Sequence, residues 1–374
     1  MPHRRARIYA GTARNLARLA GVLRRGGLVG VPTETVYGLA ADALDARACA
    51  RIYRAKGRPA TDPLIVHLAA ARELEQVAEG NPAARQLADA FWPGPLTLVL
   101  PRRPAVPALV SAGLPSVAVR VPAHPLFRRL LRLTGRPLAA PSANPFGYVS
   151  PTTAEHVRGG LGARIAHILD GGPCAVGVES TIVDLRDPAR PALLRPGAIS
   201  RAQLEAVLGV HVADGGPVGS ARRAQVAPGQ LARHYSPRTP ATLHARLDPA
   251  AAAAGPANEA WLFLARPPGR TRANVHWLDA RGDLRGAARR PATGTSTLRP
   301  RRVTTASRWR SMTGSAAPPP AEGSRPATGP EGLQSVRRHG SRAASCIPWM
   351  IFLSAGQKVA RAPASRVAPP STVK

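Results

Sequence analysis

Short apolar runs alternate with amphipathic segments over the first 210 residues of the chain. The runs are rich in Val, Ile and Leu and are bounded by Gly or Pro, which is typical of buried strands. The predicted strands are Leu28–Val31, Leu64–His67, Leu96–Leu100, Val117–Val121, Pro137–Ala140, Ile165–Leu169, Thr181–Leu185 and Ala192–Arg195. Because helical segments separate them, we predict a mixed α/β domain over residues 1–210.

Two of the intervening segments show clear helical signals. Near the N-terminus, apolar residues recur on one helical face at Leu16, Leu19, Ala20 and Leu23. This periodicity predicts a first helix that runs through Gly26-Gly27 directly into a strand. A second helix is predicted over Asp45–Lys56, with Asp45 as its N-cap.

Beyond residue 210 the character of the chain changes twice. Residues 211–240 are rich in Gly and Pro and predict a linker, and residues 241–290 begin a second unit with its best strand at Ala260–Leu264. From residue 291 hydrophobic periodicity vanishes, so residues 291–374 are expected to form a disordered basic tail. A sharper hypothesis is a frameshift near residue 290, since a shifted reading of Met312–Pro318 permits the helix-like sequence Asn-Asp-Arg-Leu-Arg-Arg-Ala-Ala.

The composition narrows the possible partners and compartment. The formal net charge of +31 favours anionic partners such as nucleotides, RNA or phosphates, although Arg-rich coding accounts for part of it. The three cysteines are far apart, which argues against a disulfide scaffold or a zinc site and predicts a cytoplasmic protein. No run of about 18 apolar residues is present, so no membrane partner is expected.

Five segments carry polar residues where a pure core would not: residues 32–40, 56–67, 116–122, 139–151 and 177–197. Within them, Lys56 is the only lysine among the first 357 residues of an Arg-rich chain. Lysine is a compact point charge on a flexible stem, so this position suggests contact with a small, highly charged group such as a polyphosphate. The alternative is a solvated side chain.

Arg120 and His67 each allow two interpretations. Arg120 lies in an otherwise apolar strand, where an unpaired charge is costly, so it needs either a ligand carboxylate or a structural Asp or Glu. His67 ends a strand and is either a core histidine or a catalytic one. The sequence shows no convincing Ser-His-Asp arrangement, no metal-binding cluster and no P-loop. This pattern favours a site that positions anions and stabilises charge over one that uses covalent catalysis.

Seven motifs occur together in a recognisable order. They are Pro32–Leu39, Lys56–Pro59, Asp62–His67, Trp92–Thr97, Val119–Pro122, Pro141–Asn144 and Glu179–Ile182. Jointly they resemble the YrdC/Sua5 family of threonylcarbamoyl-AMP synthases over residues 10–210. The stretch Leu231–Pro237 resembles the linker of the longer Sua5 type, which carries an additional C-terminal domain.

The resemblance implies a fold and a reaction. The fold would be α+β, a mixed twisted YrdC/RibB-like sheet, followed by a partial Rossmann-like domain at 241–290. L-threonine, bicarbonate or CO₂, and ATP would yield threonylcarbamoyl-AMP and pyrophosphate, with Mg²⁺ and cationic side chains neutralising charge. The product would feed modification of tRNA adenosine 37 through the downstream threonylcarbamoyl-transferase machinery.

The resemblance also implies roles for individual residues. The core anion-binding set would be Lys56, Arg58, Ser142 and Asn144. The ATP side would be lined by Arg58, Asp62, Ser116, Ser142, Ser150 and Arg195, with Tyr235 closing over the nucleotide. The threonine side would be lined by Thr35, His67, Arg120, Ala140 and Ser180, and Arg120 would pair with the substrate carboxylate. No protein-bound metal is implied.

Two other functions remain open from the sequence. A basic module that binds RNA without ATP would explain the charge, although phosphate tracking does not require five polar segments. A carbamoyl-phosphate-using maturation enzyme embeds a similar domain, but proteins of that kind also carry zinc-type Cys clusters, which this chain lacks.

Overall fold

The computed structural model of the protein describes residues 6–215 and 223–229, with shorter stretches at 241–244, 248, 250, 259–267, 275–281 and 302–306. The helices are α1 Ala13–Arg24, α2 Ala46–Lys56, α3 Pro82–Phe91, α4 Pro125–Thr134, α5 Ala154–Leu161 and α6 Arg201–Leu208, with 3₁₀ turns at Ala71–Gln76 and Ala108–Ser111. The strands of the first sheet are β1 Arg7–Tyr9, β2 Val29–Val31, β3 Gly38–Asp42, β4 Ile65–His67, β5 Leu96–Pro101, β6 Ser116–Arg120, β7 Leu138–Ala139, β8 His167–Leu169, β9 Thr181–Asp184, β10 Ala192–Arg195 and β11 Ala213–Asp214.

These eleven strands form one mixed sheet in the order β1-β8-β2-β3-β7-β4-β6-β5-β9-β10-β11. The pairs β1–β8, β8–β2, β4–β6, β5–β9 and β10–β11 are parallel. The pairs β2–β3, β3–β7, β7–β4, β6–β5 and β9–β10 are antiparallel. The predicted mixed α/β fold is therefore confirmed.

The two faces of this sheet are covered differently. Residues on alternate strand positions point to opposite faces, so Leu39 and Ala41 of β3 join one core cluster while Ala40 joins another. The first cluster is covered by α2, α3, α5 and α6. On the opposite face, α1 and α4 cover one half. The other half carries a small cluster that includes Ile65, closed by Ala227 of the 223–229 segment.

All eight predicted strands of the first domain are present, whereas β1, β3 and β11 were not predicted. The strand β3 has the sequence Gly-Leu-Ala-Ala-Asp, which lacks β-branched residues, yet every position of it is buried. A strand buried on both faces shows no alternation, and small residues give it no strand signal. Strands β1 and β11 contain only three and two residues.

Both predicted helices are confirmed in detail. The buried face of α1 consists of Leu16, Leu19, Ala20 and Leu23. The side chain of Asp45 caps α2 by accepting hydrogen bonds from the backbone N–H groups of Arg47 and Ala48. Helix α2 ends at Gly57, which adopts a left-handed conformation with φ of 65°. This turn separates Lys56, on the helix, from Arg58, beyond it.

The second unit contains a separate sheet of four strands, β12 Ala241–His244, β13 Glu259–Ala265, β14 Val275–Asp279 and β15 Arg302–Ala306, in the order β12-β15-β13-β14. All its strand pairs are parallel. The predicted strand at 260–264 is confirmed. Strand β15 lies within residues 291–374, and the predicted disorder of that segment stays a prediction. In the part of the chain that the structure describes, no helix is both long and apolar enough to cross a membrane.

Two glycines, of which one follows Lys56 directly, provide a matched test of backbone strain. A Cβ atom added at Gly57 or at Gly159 of α5 would meet no neighbouring atom within 4 Å, but only Gly57 has a positive φ. We expect Gly57→Ala to lower the free energy of unfolding by about 1 kcal/mol through left-handed strain. Gly159→Ala should raise it by about 0.5–1 kcal/mol because alanine favours a helix. Urea unfolding of both variants checks this, and equal signs would contradict it.

Candidate active site

An open cleft of about 440 Å³, counting its mouth, lies on the face of the first sheet that α1 and α4 partly cover. It lies between the α1–α4 layer and the 223–229 segment, which contributes Pro228. The cleft is lined by Thr33, Thr35, Val36, Gly38, Arg58, Ile65, His67, Arg120, Ala140, Pro141, Ser142, Glu179, Ser180, Arg195 and Pro228. The structure therefore brings together residues from all five polar segments.

Three buried arginines of the cleft are each paired with a carboxylate. Arg58 lies 3.0 Å from Asp62, between Nη2 and Oδ2. Arg120 lies 2.7 Å from Glu34, between Nη2 and Oε1. The third pair joins Arg195 Nη1 to Glu179 Oε2. Each guanidinium of this cleft therefore has its counter-charge within the protein.

Arg120 shows how complete this pairing is. Its Nε donates to the Gly94 carbonyl at 3.1 Å, and Nη1 donates to Thr35 Oγ1 at 3.0 Å. Burial raises the pKa of the Glu34 carboxyl, but the charge and hydrogen bond of Arg120 outweigh burial and leave it below its usual value. Of the two interpretations that the sequence allowed, the structural acid is therefore present.

Arg195 anchors a second network. Its Nε donates to the Ser180 carbonyl and its Nη2 to Ser180 Oγ, both at 3.0 Å. The Ser180 hydroxyl also lies 2.7 Å from Thr97 Oγ1 on β5, and Ser150 Oγ donates to Glu179 Oε1 at 2.8 Å. Five side chains from different strands and loops thus hold one another in place, so this wall of the cleft is ordered without a ligand.

Arg58 has the most remaining capacity for a ligand. Its Nε donates to the Asp62 carbonyl at 2.9 Å and Nη2 to the Pro63 carbonyl at 2.6 Å. Among the described residues, no hydrogen-bond partner of Nη1 is found. The guanidinium also lies 6.0 Å from the Phe146 ring, within cation–π range. Burial raises the pKa of Asp62, and the charge of Arg58 opposes this effect.

Lys56 is buried behind the cleft rather than exposed in it. Its Nζ donates to the carbonyl oxygens of Ser142 and Asn144, each at 2.6 Å, and to Asn144 Oδ1 at 3.3 Å. These bonds use all three ammonium hydrogens. Burial first, and then the nearby charge of Arg58, lower the pKa of Lys56 to about 7. The geometry makes Lys56 a clamp on the 142–144 loop, and its direct contact with a phosphate stays a prediction.

His67 is a buried, neutral histidine. Burial, followed by the charge of Arg120, lowers the pKa of His67 to about 3. Its Nδ1 lies 3.2 Å from the Ile65 carbonyl, and the ring packs against Phe127 of α4 with 5.5 Å between centroids. The side chain lines the cleft. His67 therefore offers an uncharged polar wall on the same side as Arg120.

Some of the remaining predicted residues line this cleft and others do not. Thr35, Ala140, Ser142 and Ser180 line it, but among the described residues Asp62, Ser116, Asn144 and Ser150 are not part of its lining. Ser116 is at the opposite end of β6 from Arg120, and its buried Oγ finds no partner in the described part of the chain. Tyr235 lies outside the described residues.

Sequence reasoning assigned no role to Glu34, Glu179, Thr33 or Thr97. A usable signal was present: Glu34 and Asp62 are the only acidic residues in the first four polar segments, and Glu179 is the first of three in the fifth. Three buried arginines require three counter-charges, so these acids were the natural partners. Thr33 Oγ1 lies 2.8 Å from Thr35 Oγ1 and donates to the Val36 carbonyl at 2.6 Å. Neither Thr33 nor Thr97 differs in sequence from an ordinary turn or strand threonine.

The Arg120–Glu34 pair can be tested by charge removal. Arg120→Met leaves Glu34 buried without its counter-charge, so we expect the free energy of unfolding to fall by about 3–5 kcal/mol. The double variant Arg120→Met/Glu34→Met removes both charges and should recover much of that loss. Urea unfolding of the two variants checks the pair, and a double variant less stable than Arg120→Met would contradict it.

His67 makes a pH-dependent contribution to stability. Its folded pKa of about 3 lies below the unfolded value of 6.5, so the unfolded state takes up a proton that the folded state does not. This contribution is fully present above pH 6.5 and is lost as the pH falls toward 3, by about 1.4 kcal/mol per pH unit. Urea unfolding between pH 4 and 8 should show a steeper loss for the wild type than for His67→Gln. Parallel pH profiles would contradict the burial of a neutral His67.

Comparison with known proteins gives a consistent assignment. A family model described as "Telomere recombination", of the Sua5/YciO/YrdC family, matches residues 21–197, and one described as "Threonylcarbamoyl-AMP synthase, C-terminal domain" matches residues 199–290. The chain is 49% identical over 219 residues to the threonylcarbamoyl-AMP synthase of Pyrococcus abyssi, covering 58% of this chain and 64% of that protein. It is 48% identical over 228 residues to that of Bacillus subtilis, covering 60% of this chain and 65% of that protein.

A solved structure extends the similarity to the fold. The crystal structure of Pyrococcus abyssi Sua5 complexed with L-threonine matches with a TM-score of 0.72 and 35% identity, covering 80% of this chain and 92% of that one. The two adjoining family matches together span residues 21–290 apart from residue 198. The chain belongs to the Sua5/YciO/YrdC family.

Proposed function

We propose that the protein is an L-threonylcarbamoyladenylate synthase, which forms threonylcarbamoyl-AMP and pyrophosphate from L-threonine, bicarbonate or CO₂, and ATP. The observation that carries this proposal is the convergence of three paired guanidinium groups and several hydroxyls on one open cleft. Such a site binds anions by preorganised donors and needs no protein nucleophile. The similarity to a protein solved with L-threonine supports the choice of amino acid.

The threonine side is the wall formed by Thr35, His67, Arg120, Ala140 and Ser180. Arg120 is already neutralised by Glu34, so a substrate carboxylate would share the guanidinium with this acid. Glu34 does not line the cleft, so it would hold Arg120 from behind while the substrate carboxylate approaches the guanidinium from the cleft. The neutral His67 adds no competing charge.

The ATP side extends from Arg58 to Arg195. Arg58 offers Nη1, while Ser142 lines the cleft and forms no hydrogen bond through its Oγ in the described part of the chain. The partnerless Ser116 Oγ supports its assignment to this side. Asp62, Asn144 and Ser150 support these residues from behind by binding Arg58, Lys56 and Glu179. Tyr235 is proposed to close over the nucleotide.

The chemistry consists of two bond-forming steps. The threonine nitrogen attacks CO₂ and loses a proton, giving a carbamate. A carbamate oxygen then attacks the α-phosphorus of ATP, and the bond to the bridging oxygen of pyrophosphate breaks. Mg²⁺ bound to the nucleotide phosphates would neutralise their charge, which suits a site whose acids are already paired with arginines. The described residues hold no cluster of three or more His, Cys, Asp or Glu side chains.

The product is proposed to serve tRNA modification in the cytoplasm through the downstream threonylcarbamoyl-transferase machinery. Residues 1–210 would form the catalytic domain, 211–240 the linker and 241–290 the first part of a Rossmann-like unit. The all-parallel pairing of the second sheet supports that last assignment. The frameshift hypothesis for residues 291–374 is checked by resequencing the locus, and an intact frame would reject it.

The experiment is threonine- and bicarbonate-dependent release of pyrophosphate from ATP by the full chain. Arg58→Ala should lower the rate by roughly 10²-fold, because it removes a preorganised donor to the transferring phosphate. Arg54→Ala, an exposed arginine one turn earlier in α2, is the matched control and should leave the rate unchanged.

Two results would reject the proposal. One is the absence of threonine-dependent release from a folded wild-type protein. The other is an equal loss in the Arg58 and Arg54 variants, because that would trace the effect to net charge instead of to the cleft. Lys56→Met should also abolish most of the activity by freeing the 142–144 loop, and undiminished release would remove that residue from the site.

A further inference from the structure

The hydroxyl of Ser180 is held between two buried side chains and the cleft. Its Oγ accepts a hydrogen bond from Arg195 Nη2 at 3.0 Å and lies 2.7 Å from Thr97 Oγ1. Ser180 lines the cleft, whereas Thr97 is fully buried and is not among the described residues that line it. A serine hydroxyl has one hydrogen and two acceptor sites, so the direction of the bond to Thr97 decides what Ser180 can offer to a ligand.

The direction of this bond follows from the surroundings of Thr97. In the part of the chain that the structure describes, Thr97 Oγ1 has no hydrogen-bond partner other than Ser180 Oγ. If Ser180 donated, the hydroxyl hydrogen of Thr97 would be buried without an acceptor, which is unfavourable. If Thr97 donates, Thr97 and Arg195 fill both acceptor sites of Ser180, and the hydrogen of Ser180 is left for the cleft. The second arrangement leaves no buried hydroxyl hydrogen unpaired once a ligand is bound.

The hydroxyl of Thr35, which also lines the threonine side, has the opposite polarity. Thr33 Oγ1 donates its one hydrogen to the Val36 carbonyl at 2.6 Å, so the 2.8 Å contact between Thr33 and Thr35 must use the hydrogen of Thr35. Thr35 Oγ1 also accepts from Arg120 Nη1 at 3.0 Å. Thr35 can therefore only accept a hydrogen bond from a ligand, whereas Ser180 can only donate one.

The sheet register places Thr97 beside Arg120. Strand β5 pairs Leu98 with Val119 of β6, so Thr97, which precedes Leu98, lies opposite Arg120, which follows Val119. Residues opposite each other in an antiparallel pair share one face of the sheet, and Arg120 lines the cleft. Because Thr97 is bonded to Ser180, the hydrogen of Ser180 is a second donor on the same part of the wall as the guanidinium.

We propose that Thr97 is a positioning residue that makes Ser180 a hydrogen-bond donor to a carboxylate oxygen of the amino-acid substrate. Thr97 does not touch the substrate; its hydroxyl fixes the orientation of the Ser180 hydroxyl and directs that hydrogen into the cleft. This role rests on the proposed function, since it requires that the cleft binds L-threonine. The alternative is a purely structural hydroxyl pair, whose loss would lower stability without a specific effect on threonine.

The test is isothermal titration of L-threonine into the full chain, with the KM for ATP measured by pyrophosphate release. Thr97→Val keeps the β-branched shape of the side chain but removes the hydroxyl. It should raise the Kd for threonine about fivefold, the usual effect of one hydrogen bond, and change the KM for ATP by less than about twofold. Thr97→Ser keeps the hydroxyl and should stay within about twofold of the wild-type Kd.

The matched control is Thr134→Val in α4. Thr134 is also buried, and its hydroxyl donates to the Leu130 carbonyl at 2.8 Å, away from the cleft. Its loss should leave the Kd for threonine unchanged. An equal rise in the Kd for Thr97→Val and Thr134→Val, or for Thr97→Val and Thr97→Ser, would overturn the proposal.

A double-mutant cycle shows whether Thr97 acts through Ser180. Ser180→Ala should raise the Kd for threonine at least about 10-fold, because hydrogen bonds to charged groups are the stronger ones. In the Ser180→Ala background, Thr97→Val should add no further loss, because no hydroxyl is left to orient. Losses that multiply independently would mean that Thr97 acts by another route and would overturn the proposal.

The wild type distinguishes two kinds of failure. If it binds L-threonine and releases pyrophosphate while Thr97→Val keeps the wild-type Kd, only the role of Thr97 is overturned. If a folded wild type neither binds L-threonine nor releases pyrophosphate, the proposed function is rejected and this role with it. Thermal unfolding must show that Thr97→Val is folded; if it is not, Thr97→Cys, whose thiol is a weak donor, takes its place with a smaller expected rise in the Kd.

Discussion

A buried guanidinium must have a counter-charge, and this requirement organises the site. Arg58, Arg120 and Arg195 are all nearly inaccessible to solvent, and an unpaired charge in such a place is very costly. Each arginine is matched by a carboxylate from a loop that begins or ends a strand of the central sheet. The loops at 33–36, 58–63 and 179–180 are therefore held by the same pairs that create the binding surface.

This arrangement changes how ligand binding should be understood. A site of free cations would attract any anion, whereas paired guanidinium groups offer only those N–H donors that face the cleft. Selectivity then comes from which donors remain, such as Nη1 of Arg58, and from polar groups placed between the pairs. The buried Lys56 contributes by holding the 142–144 loop through three hydrogen bonds, which fixes the position of the Ser142 side chain without placing the ammonium in the cleft.

Much of this could be predicted from the sequence, for identifiable reasons. Strands such as Leu96–Leu100 and the cap at Asp45 have strong local signals, and the five polar segments did converge on one cleft. The strand β3 was missed because Gly38, Ala40 and Ala41 are small and buried on both sides. The partner of Arg120 could not be chosen from local sequence, since Glu34 is 86 residues away along the chain and is brought close only by the sheet order. Likewise, Lys56 is buried by the 142–144 loop, and the pattern of residues in its own helix does not predict that contact.

The face of the first sheet that α1 and α4 partly cover is completed by residues from beyond residue 210, which bears on where the first domain ends. Val226 and Ala227 close a small apolar cluster that contains Ile65, Val99, Ala118 and Ile182, and Gln225 N–H donates to the Thr61 carbonyl at 2.9 Å. By composition this stretch is a linker, but in folding terms it belongs to the first domain. A fragment that stops at residue 210 would leave this apolar cluster exposed to water. Residues 225–227 are therefore needed to keep this part of the sheet covered.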